Sequence, residues 1–379
     1  MKTNPATRFT SLDVFRGLTV CFMIIVNTPG TGAMPYSPFQ HASWHGFTPT
    51  DLVFPSFLFA VGNSMSFSSE KFAALAENKF LWKVIKRAFI IFLLGYLLYW
   101  FPFIVIDKAG SIGLRPIAET RILGVLQRIA LCYLLASLMV RYMSFRSVMA
   151  AGAVLLVGYW AILVAFGDPA DPLSLTGNAG NLVDAYILGE KHMYHGEGVA
   201  FEPEGILSTI PSIMNVIVGY YAGMFIRKHG KTYESLSRLL LTGGALVCVA
   251  LAWNTVFPIN KKLWTSSFVL LTTGIDLAIL GALLYIVEVR RWNKGNWTRF
   301  FTIPGKNPLF IYLLSELLLI SIAMVNVAGG TSVYEWVNSA IFQQVAPGPA
   351  GSLLFALVFM MVCWFVAWFL DRRKIYIRV

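Results

Sequence analysis

Four cysteines in 379 residues, Cys21, Cys132, Cys248 and Cys363, all fall inside apolar runs, so no disulfide framework is implied. Charge is scarce as well. Only 13% of the residues are Asp, Glu, Lys or Arg, against about a quarter in a typical soluble domain. No stretch rich in Ser, Pro or Gly and no low-complexity tract divides the chain, which predicts one domain over residues 1–379. No internal match suggests the inverted repeats of many transporters. Nucleotide-binding Walker, dinucleotide and Gly-x-Ser-x-Gly fingerprints are missing from any strand–helix context.

What fills the chain instead is apolar and aromatic: 57% hydrophobic residues, with 29 Phe, 15 Tyr and 11 Trp. Runs long enough to cross a bilayer lie near 12–27, 52–68, 84–106, 122–140, 147–166, 206–226, 237–257, 266–288, 308–325 and 351–370. These ten predict an all-α, polytopic membrane helix bundle. Pro55, Pro211 and Pro308 sit near helix starts, where proline is tolerated. The first run begins near Arg16 without a small-residue cleavage site, so it is expected to remain as a helix.

Basic residues orient the bundle. With the N-terminus cytoplasmic, that side holds Lys2, Arg8, Lys71, Lys79, Lys83, Lys86, Arg87, Arg141, Arg146, Arg227, Lys228, Lys231 and Arg238. It also holds Arg290, Arg291, Lys294, Arg299, Lys306, Arg372, Arg373, Lys374 and Arg378. The opposite side holds only Lys108, Arg115, Arg121, Lys191, Lys261 and Lys262. This asymmetry satisfies the positive-inside rule and predicts both termini in the cytoplasm. It also accounts for the net charge of +11 without a nucleic-acid partner. Two long segments, 167–205 and 326–350, then face outward. The first carries Asp168, Asp171, Asp184, Glu190, Glu197, Glu202, Glu204, His192 and His195; the second, with Trp336, predicts a short interfacial helix.

Polar groups at a membrane are costly and therefore informative. His41, Trp44, His45 and Asp51 crowd ahead of the second apolar run. Imidazole exchanges protons near neutral pH, so the segment reads as a reaction site or as a headgroup anchor. Asp13 and Arg16, three apart on the first helix, are spaced to pair. Asn27 closes that helix. Arg121 and Arg128, seven apart, predict one helical stripe suited to phosphate or carboxylate, with Gln127 beside it. Glu202, Glu204, Ser208 and Thr209 open the sixth run, where capping explains part of the pattern. Asn260, Lys261 and Trp264 precede the eighth, which buries Asp276; Lys306 and Asn307 precede the ninth, with Glu316 two turns in. His41 and His45 lack a third ligand on the same helix, and no metal is expected.

The blocks Arg8-x-x-Ser11-Leu-Asp13-x-Phe-Arg16-Gly17, Val26-Asn27 and His41-Ala-Ser-Trp44-x-Gly46-x-Thr-x-x-Asp51-Leu-Val-Phe-Pro55 run in order with four others. Those are Gly124-Val-Leu-Gln127-Arg128, Glu202-Pro-Glu204-Gly205, Pro258-Ile-Asn260-Lys261-x-Leu-Trp264-Thr and Gly305-x-Asn307. Together they resemble the membrane domain of the heparan-alpha-glucosaminide N-acetyltransferase family, including its bacterial relatives.

The resemblance implies acetyl transfer from cytoplasmic acetyl-CoA to an amino sugar across the membrane, in a bacterial inner membrane with the His41 loop outside, and a homodimer. It places His41, as general base or acetyl carrier, and Asn27 in the chemistry. We read His45, Trp44, Asp51, Glu202, Glu204, Asn260, Lys261 and Trp264 as acceptor-binding, with Asp184 a further acid for the ammonium. Arg16, Arg121, Gln127, Arg128, Lys86, Arg87, Lys306 and Asn307 are read as holding acetyl-CoA. Two departures from the family pattern are expected to bear on the acceptor pocket and the chain's extent. The loop from Asn27 to His41 is longer, with Pro29, Pro35 and Pro38, and the chain begins directly at the first catalytic-domain helix. The competing reading is a secondary transporter or flippase using Asp13, Asp276 and Glu316 as coupling sites.

Overall fold

The computed structural model describes residues 9–106, 112–293, 295–327 and 330–377. Lys2, Arg8, Lys108, Lys294 and Arg378 of the charge pattern lie outside the described residues. The chain is helical through most of each apolar run. In order come α1 (Thr10–Asn27), α2 (Val53–Ala73), α3 (Glu77–Trp100), α4 (Val125–Tyr142), α5 (Phe145–Phe166) and α6 (Ala179–Leu188). Then follow α7 (Ile206–His229), α8 (Tyr233–Trp253), α9 (Ser266–Leu283), α10 (Trp297–Thr302) and α11 (Pro308–Met324). The last are α12 (Val333–Val337), α13 (Gln343–Val345) and α14 (Pro349–Arg372). A small antiparallel ribbon, β1 (Ile104–Ile106) with β2 (Ile112–Leu114), follows α3.

Each of the ten predicted runs coincides with one of these long helices, but they do not all meet the same standard. Among the described residues, α1, α4, α5, α7, α8, α9 with its continuation to Val289, and α14 are long and apolar enough to cross a membrane. The others differ for visible reasons. Helix α2 carries Asn63, Ser64, Ser66, Ser68, Ser69 and Glu70 in its second half, and α3 brings Lys83, Lys86 and Arg87 into its first turns. Helix α11 is 17 residues long and meets the Trp297–Lys306 segment at an 82° bend.

Local chemistry sets the boundaries. Ser144, Asn178, Thr232 and Thr265 cap α5, α6, α8 and α9 by accepting a backbone N–H three residues on. Proline begins α11 and α14, where its missing N–H costs nothing. The 167–205 segment contributes α6, and 326–350 contributes α12 and α13 in the place of the expected short helix.

Packing depends on small residues at crossings, as in membrane bundles generally. Helices α2 and α7 approach through Gly62 and Gly219. A Cβ on Gly62 would stand 1.9 Å from the Val216 carbonyl oxygen, and one on Gly219 2.1 Å from that of Phe59. Gly243 of α8 and Gly274 of α9 face each other in the same way, at 2.7 and 2.6 Å. Gly219→Val is therefore expected to lower stability by about 1–3 kcal/mol or more. Gly158→Val on α5, where a Cβ meets nothing within 4 Å, is expected to leave the melting temperature within a degree or two of wild type. Differential scanning fluorimetry of both variants in one detergent decides the matter.

Candidate functional site

The loop ahead of α2 is organised by Asp51. A turn at Pro49–Leu52, with Thr48 and Asp51 as its capping box, buries the Asp51 carboxylate completely. A buried carboxylate is tolerable only when its lone pairs are used. One oxygen accepts from the Ala42 N–H at 3.1 Å and from the Thr48 N–H and hydroxyl, both at 3.0 Å. The other lies 2.6 Å from His41 Nδ1. With a carboxylate as partner, Nδ1 carries the proton and Nε2 is left as an acceptor. The imidazole itself is 44% exposed.

Lys261 completes the group from the far end of the chain. Its Nζ stands 3.1 Å from both ring nitrogens of His41, over the ring rather than along one lone pair, and 3.9 Å from Asp51. A tight turn fixes it there. The Asn260 N–H donates to Thr265 Oγ1, the Asn260 side chain accepts from the Leu263 N–H, and Trp264 adopts a left-handed φ of +53°. Next to it, Lys262 donates to the Ser43 carbonyl and pairs with Glu197, each within 2.9 Å. Asn260 Nδ2 approaches His45 Nδ1 at 3.4 Å, and Trp44 donates its indole N–H to Leu173 O at 2.9 Å.

Protonation follows from this geometry. Burial lowers the His41 pKa from its ordinary value, and the charges of Lys261 and Lys262 push the same way against the Asp51 bond. Burial also lowers His45. Asp51 is held below the usual carboxylate range because the His41 bond, Lys261 and the Ala42 N–H outweigh its burial. Lys261 is lowered by burial, opposed by Asp51 and Glu204.

Glu204 leads to a second cluster. Arg121 grips Glu202 through Nε at 2.9 Å and through Nη2, and pairs with Glu204 at 2.6 Å. The rings of Tyr99 and Tyr194 each lie 4.9 Å from its guanidinium carbon. Arg128, fully buried in α4, donates to the Pro203 carbonyl at 2.9 Å and to Ser208, and lies 4.7 Å over the Trp264 ring. Asn27 Nδ2 donates to Glu316 at 3.3 Å, and Glu316 is in electrostatic range of Tyr99.

At the other end of α1 lies a cavity of about 550 Å³ lined by Asp13, Arg16, Ser64, Arg87, Lys306 and Tyr376. It continues into a crevice of about 90 Å³ that shares Arg16, Ser64 and Arg87 and reaches Ile129 and Tyr133. Arg16 pairs with Asp13 as expected and donates to Ser64 at 3.2 Å. Arg87 stacks on Tyr133 at 4.8 Å. The Nε atoms of Arg16 and Arg87 and the Tyr133 hydroxyl are buried without hydrogen-bond partners among the described residues. Gln127, deeper in α4, has both amide atoms in the same condition.

Several predicted residues therefore fall elsewhere than expected. Arg121 and Arg128 form no helical stripe, because α4 begins only at Val125 and Arg121 belongs to the preceding loop. Gly124 keeps that junction open: a Cβ there would stand 2.2 Å from the Tyr99 hydroxyl. Glu202 and Glu204 are already bound to Arg121, and Asp184 accepts from the Ile206 N–H at the start of α7. Trp264 is buried under Arg128, with its N–H on Asn215. Asn307 holds the chain end through Ile375 O and Ile377 N, and Lys86 is exposed beside the cavity rather than in it. The carboxylates of the transporter reading are also partnered, Asp276 by Ser56 and Glu316 by Asn27. Sequence reasoning missed Ser64, Tyr99, Tyr133 and Tyr194. Nothing local marks them out among so many hydroxyls and aromatics.

His41 is expected to titrate below the ordinary histidine range in a ring-carbon NMR titration, and Lys261→Met to raise its midpoint. An unchanged midpoint would mean that Lys261 does not act on the ring. Linkage has the matching sign: as pH falls from the ordinary histidine value towards the lowered one, the unfolded chain takes up the proton first and stability falls.

The family model described as heparan-alpha-glucosaminide N-acetyltransferase, catalytic, matches residues 8–248. The chain is 28% identical over 376 residues to heparan-alpha-glucosaminide N-acetyltransferase of Mus musculus, covering 84% of this chain and 54% of that protein. With the Homo sapiens protein of the same name it is 29% identical over 364 residues, covering 82% of this chain and 53% of the relative. The chain thus spans about half the length of the curated relatives it matches.

Proposed function

This chain belongs to the heparan-alpha-glucosaminide N-acetyltransferase family, and on that premise we propose that it moves an acetyl group from cytoplasmic acetyl-CoA to the amine of an amino sugar on the far side of the membrane. The ten long helices all cross the bilayer in this reading. Both termini lie in the cytoplasm, and the His41 loop faces outward from a bacterial inner membrane. The carrying observation is the arrangement beyond the Asn27 end of α1: a buried Asp51 carboxylate on Nδ1 of His41, which leaves Nε2 an acceptor, and the Lys261 ammonium against the ring.

Acetyl-CoA supplies the thioester-bound acetyl group. An amine attacking that carbonyl must lose a proton, and Nε2 of His41 accepts it. Asp51 keeps the imidazole in the tautomer that makes this feasible and steadies the cation that forms, the role a carboxylate plays in other histidine-based sites. Lys261 opposes that cation. It keeps the resting ring neutral and favours prompt loss of the proton once the amide has formed. Asn27 acts beside Glu316 as the second polar group of the reaction.

The opposite cavity suits the co-substrate. Phosphates need cations, and Arg16, Arg87 and Lys306 line it together. The buried unpartnered Nε atoms of Arg16 and Arg87, with Tyr133 and Gln127 beyond, mark polar positions that a bound amide-bearing arm would satisfy. Arg16 and Asn27 lie eleven residues apart on α1, about 16 Å along a helix, so a long co-substrate would join the two ends.

His41→Ala is expected to reduce transfer of radiolabelled acetyl from acetyl-CoA to glucosaminides by about 10²–10⁴-fold, with acetyl-CoA binding retained. Full activity in that variant would remove His41 from the chemistry. Arg87→Gln should raise KM for acetyl-CoA roughly tenfold, the loss of about 1.4 kcal/mol, with kcat little changed. A fall in kcat alone would place Arg87 outside the co-substrate site. Wild-type protein that neither binds acetyl-CoA nor transfers acetyl would sink the proposal and leave a transporter as the better reading.

A further inference from the structure

A third cavity, of about 570 Å³, opens where the ends of α3 and α11 part, beside the β1–β2 ribbon. It belongs to neither of the sites above. Leu98, Phe101, Pro102 and Met324 make its walls apolar, and Ile104, Val105 and Leu114 of the ribbon expose further apolar surface around it. Its depth is fixed by chain direction. The cavity lies at the ends of α3 and α11 opposite to Arg87 and Lys306, where Tyr99, Trp100, Phe101 and Phe103 gather as interfacial aromatics do.

One cation lies within these walls. Arg115 lines the cavity and donates Nη1 to the Phe101 carbonyl at 3.3 Å. Among the described residues it has no carboxylate partner, unlike Arg121, which has two. A guanidinium at headgroup depth, set in apolar walls without a carboxylate partner among the described residues, is matched to a lipid phosphate. Tyr99 connects this cavity to the chemistry. Its ring lines the cavity, while its hydroxyl accepts from Arg121 at 3.3 Å. Arg121 holds Glu204, and Glu204 is in electrostatic range of Lys261 on His41.

We propose that this groove seats the phosphate and the adjoining hydrocarbon of a lipid-linked amino sugar, so that the acceptor reaches His41 from the bilayer. The inference rests on the acetyltransferase reading and deepens it by naming the acceptor class. Arg115 binds the phosphate, the walls formed by Leu98 and Met324 take the start of the chain, and the sugar lies past Tyr99. No covalent step is added: the acceptor amine gains the acetyl group, loses its proton to His41, and the thiol leaves.

The test compares three acceptors in nanodiscs: methyl glucosaminide, dodecyl glucosaminide, and glucosamine joined to a decyl chain through a phosphodiester. Wild type is expected to show a KM for the phosphodiester at least tenfold below that for methyl glucosaminide. Arg115→Gln should raise the phosphodiester KM about tenfold and leave methyl glucosaminide within twofold. Met324→Trp, which fills the groove, should raise KM for both alkyl acceptors only. Because partitioning into the nanodisc is the same for every variant, equal effects on all three acceptors, or none, would overturn the groove as an acceptor site and leave it to bulk lipid. Transfer to no acceptor by wild type would instead defeat the acetyltransferase reading. Native mass spectrometry of decyl phosphate binding, wild type beside Arg115→Gln, then reads the groove by itself: loss of binding in the variant supports a phosphate seat, and equal binding overturns it.

Discussion

The end of the bundle that carries His41 depends on one buried carboxylate. Asp51 has no contact with water, and a charge in that position is stable only because each lone-pair direction is used. Its partners come from the His41 ring, the Ala42 and Thr48 backbone and the Thr48 hydroxyl. Satisfying Asp51 therefore folds residues 41–51 into one conformation, sets the tautomer of His41 and leaves Nε2 as the ring's acceptor, beside Lys261. Because Asp51 is joined directly to α2, the imidazole is positioned by a rigid helix rather than by a loop. The same bonds that make the buried charge tolerable also fix the imidazole, which in the proposed reaction is the base.

Around that point the structure neutralises its charges in pairs and leaves a few deliberately incomplete. Arg121 is balanced by Glu202 and Glu204, Lys262 by Glu197 and Lys306 by Asp371. Lys261 is different, since its nearest carboxylate, at 3.9 Å, is already bound to His41. Arg87 and Arg115, which line two of the cavities, likewise have no carboxylate partner among the described residues. Paired cations build the scaffold, holding the 202–208 segment against α4 and the chain end against α11. The cavities take both kinds: Arg16 and Lys306 are there with Asp13 and Asp371, while Arg87 and Arg115 have no carboxylate among the described residues.

Helix α1 sets the relation between the two ends. Its N-terminal turns carry Asp13 and Arg16 into one cavity, and its last residue, Asn27, meets Glu316 at the other end. Gly17 lets the Phe301 backbone come so close that a Cβ would stand 1.6 Å from its carbonyl oxygen, which draws the 297–306 segment and Lys306 against the same cavity. A crossing this tight holds both sites on one rigid element, which the proposed transfer between two substrates from opposite sides would require.

Much of this was legible along the chain. Hydropathy runs located all ten long helices, because apolar length is a local property that a bilayer-sized window reads directly. The Asp13–Arg16 pair followed from helical spacing, and the His41–Asp51 segment declared itself by its crowding of imidazole and carboxylate. Where the inference needed to know which helix faces which, it failed. Arg121 and Arg128 share a spacing but not a helix, and Glu202, Glu204 and Asp184 were available as ammonium ligands only until Arg121 and the Ile206 N–H claimed them. Lys261 lies 220 residues from His41, and nothing short of the packed bundle puts its ammonium over that ring. The sequence by itself determined the helices and the places where polar residue types crowd together, both set by local composition. Tertiary packing alone decided which charges cancel and which stay open, because the energy of a buried ion depends on the partner within a few ångströms and not on its neighbours along the chain.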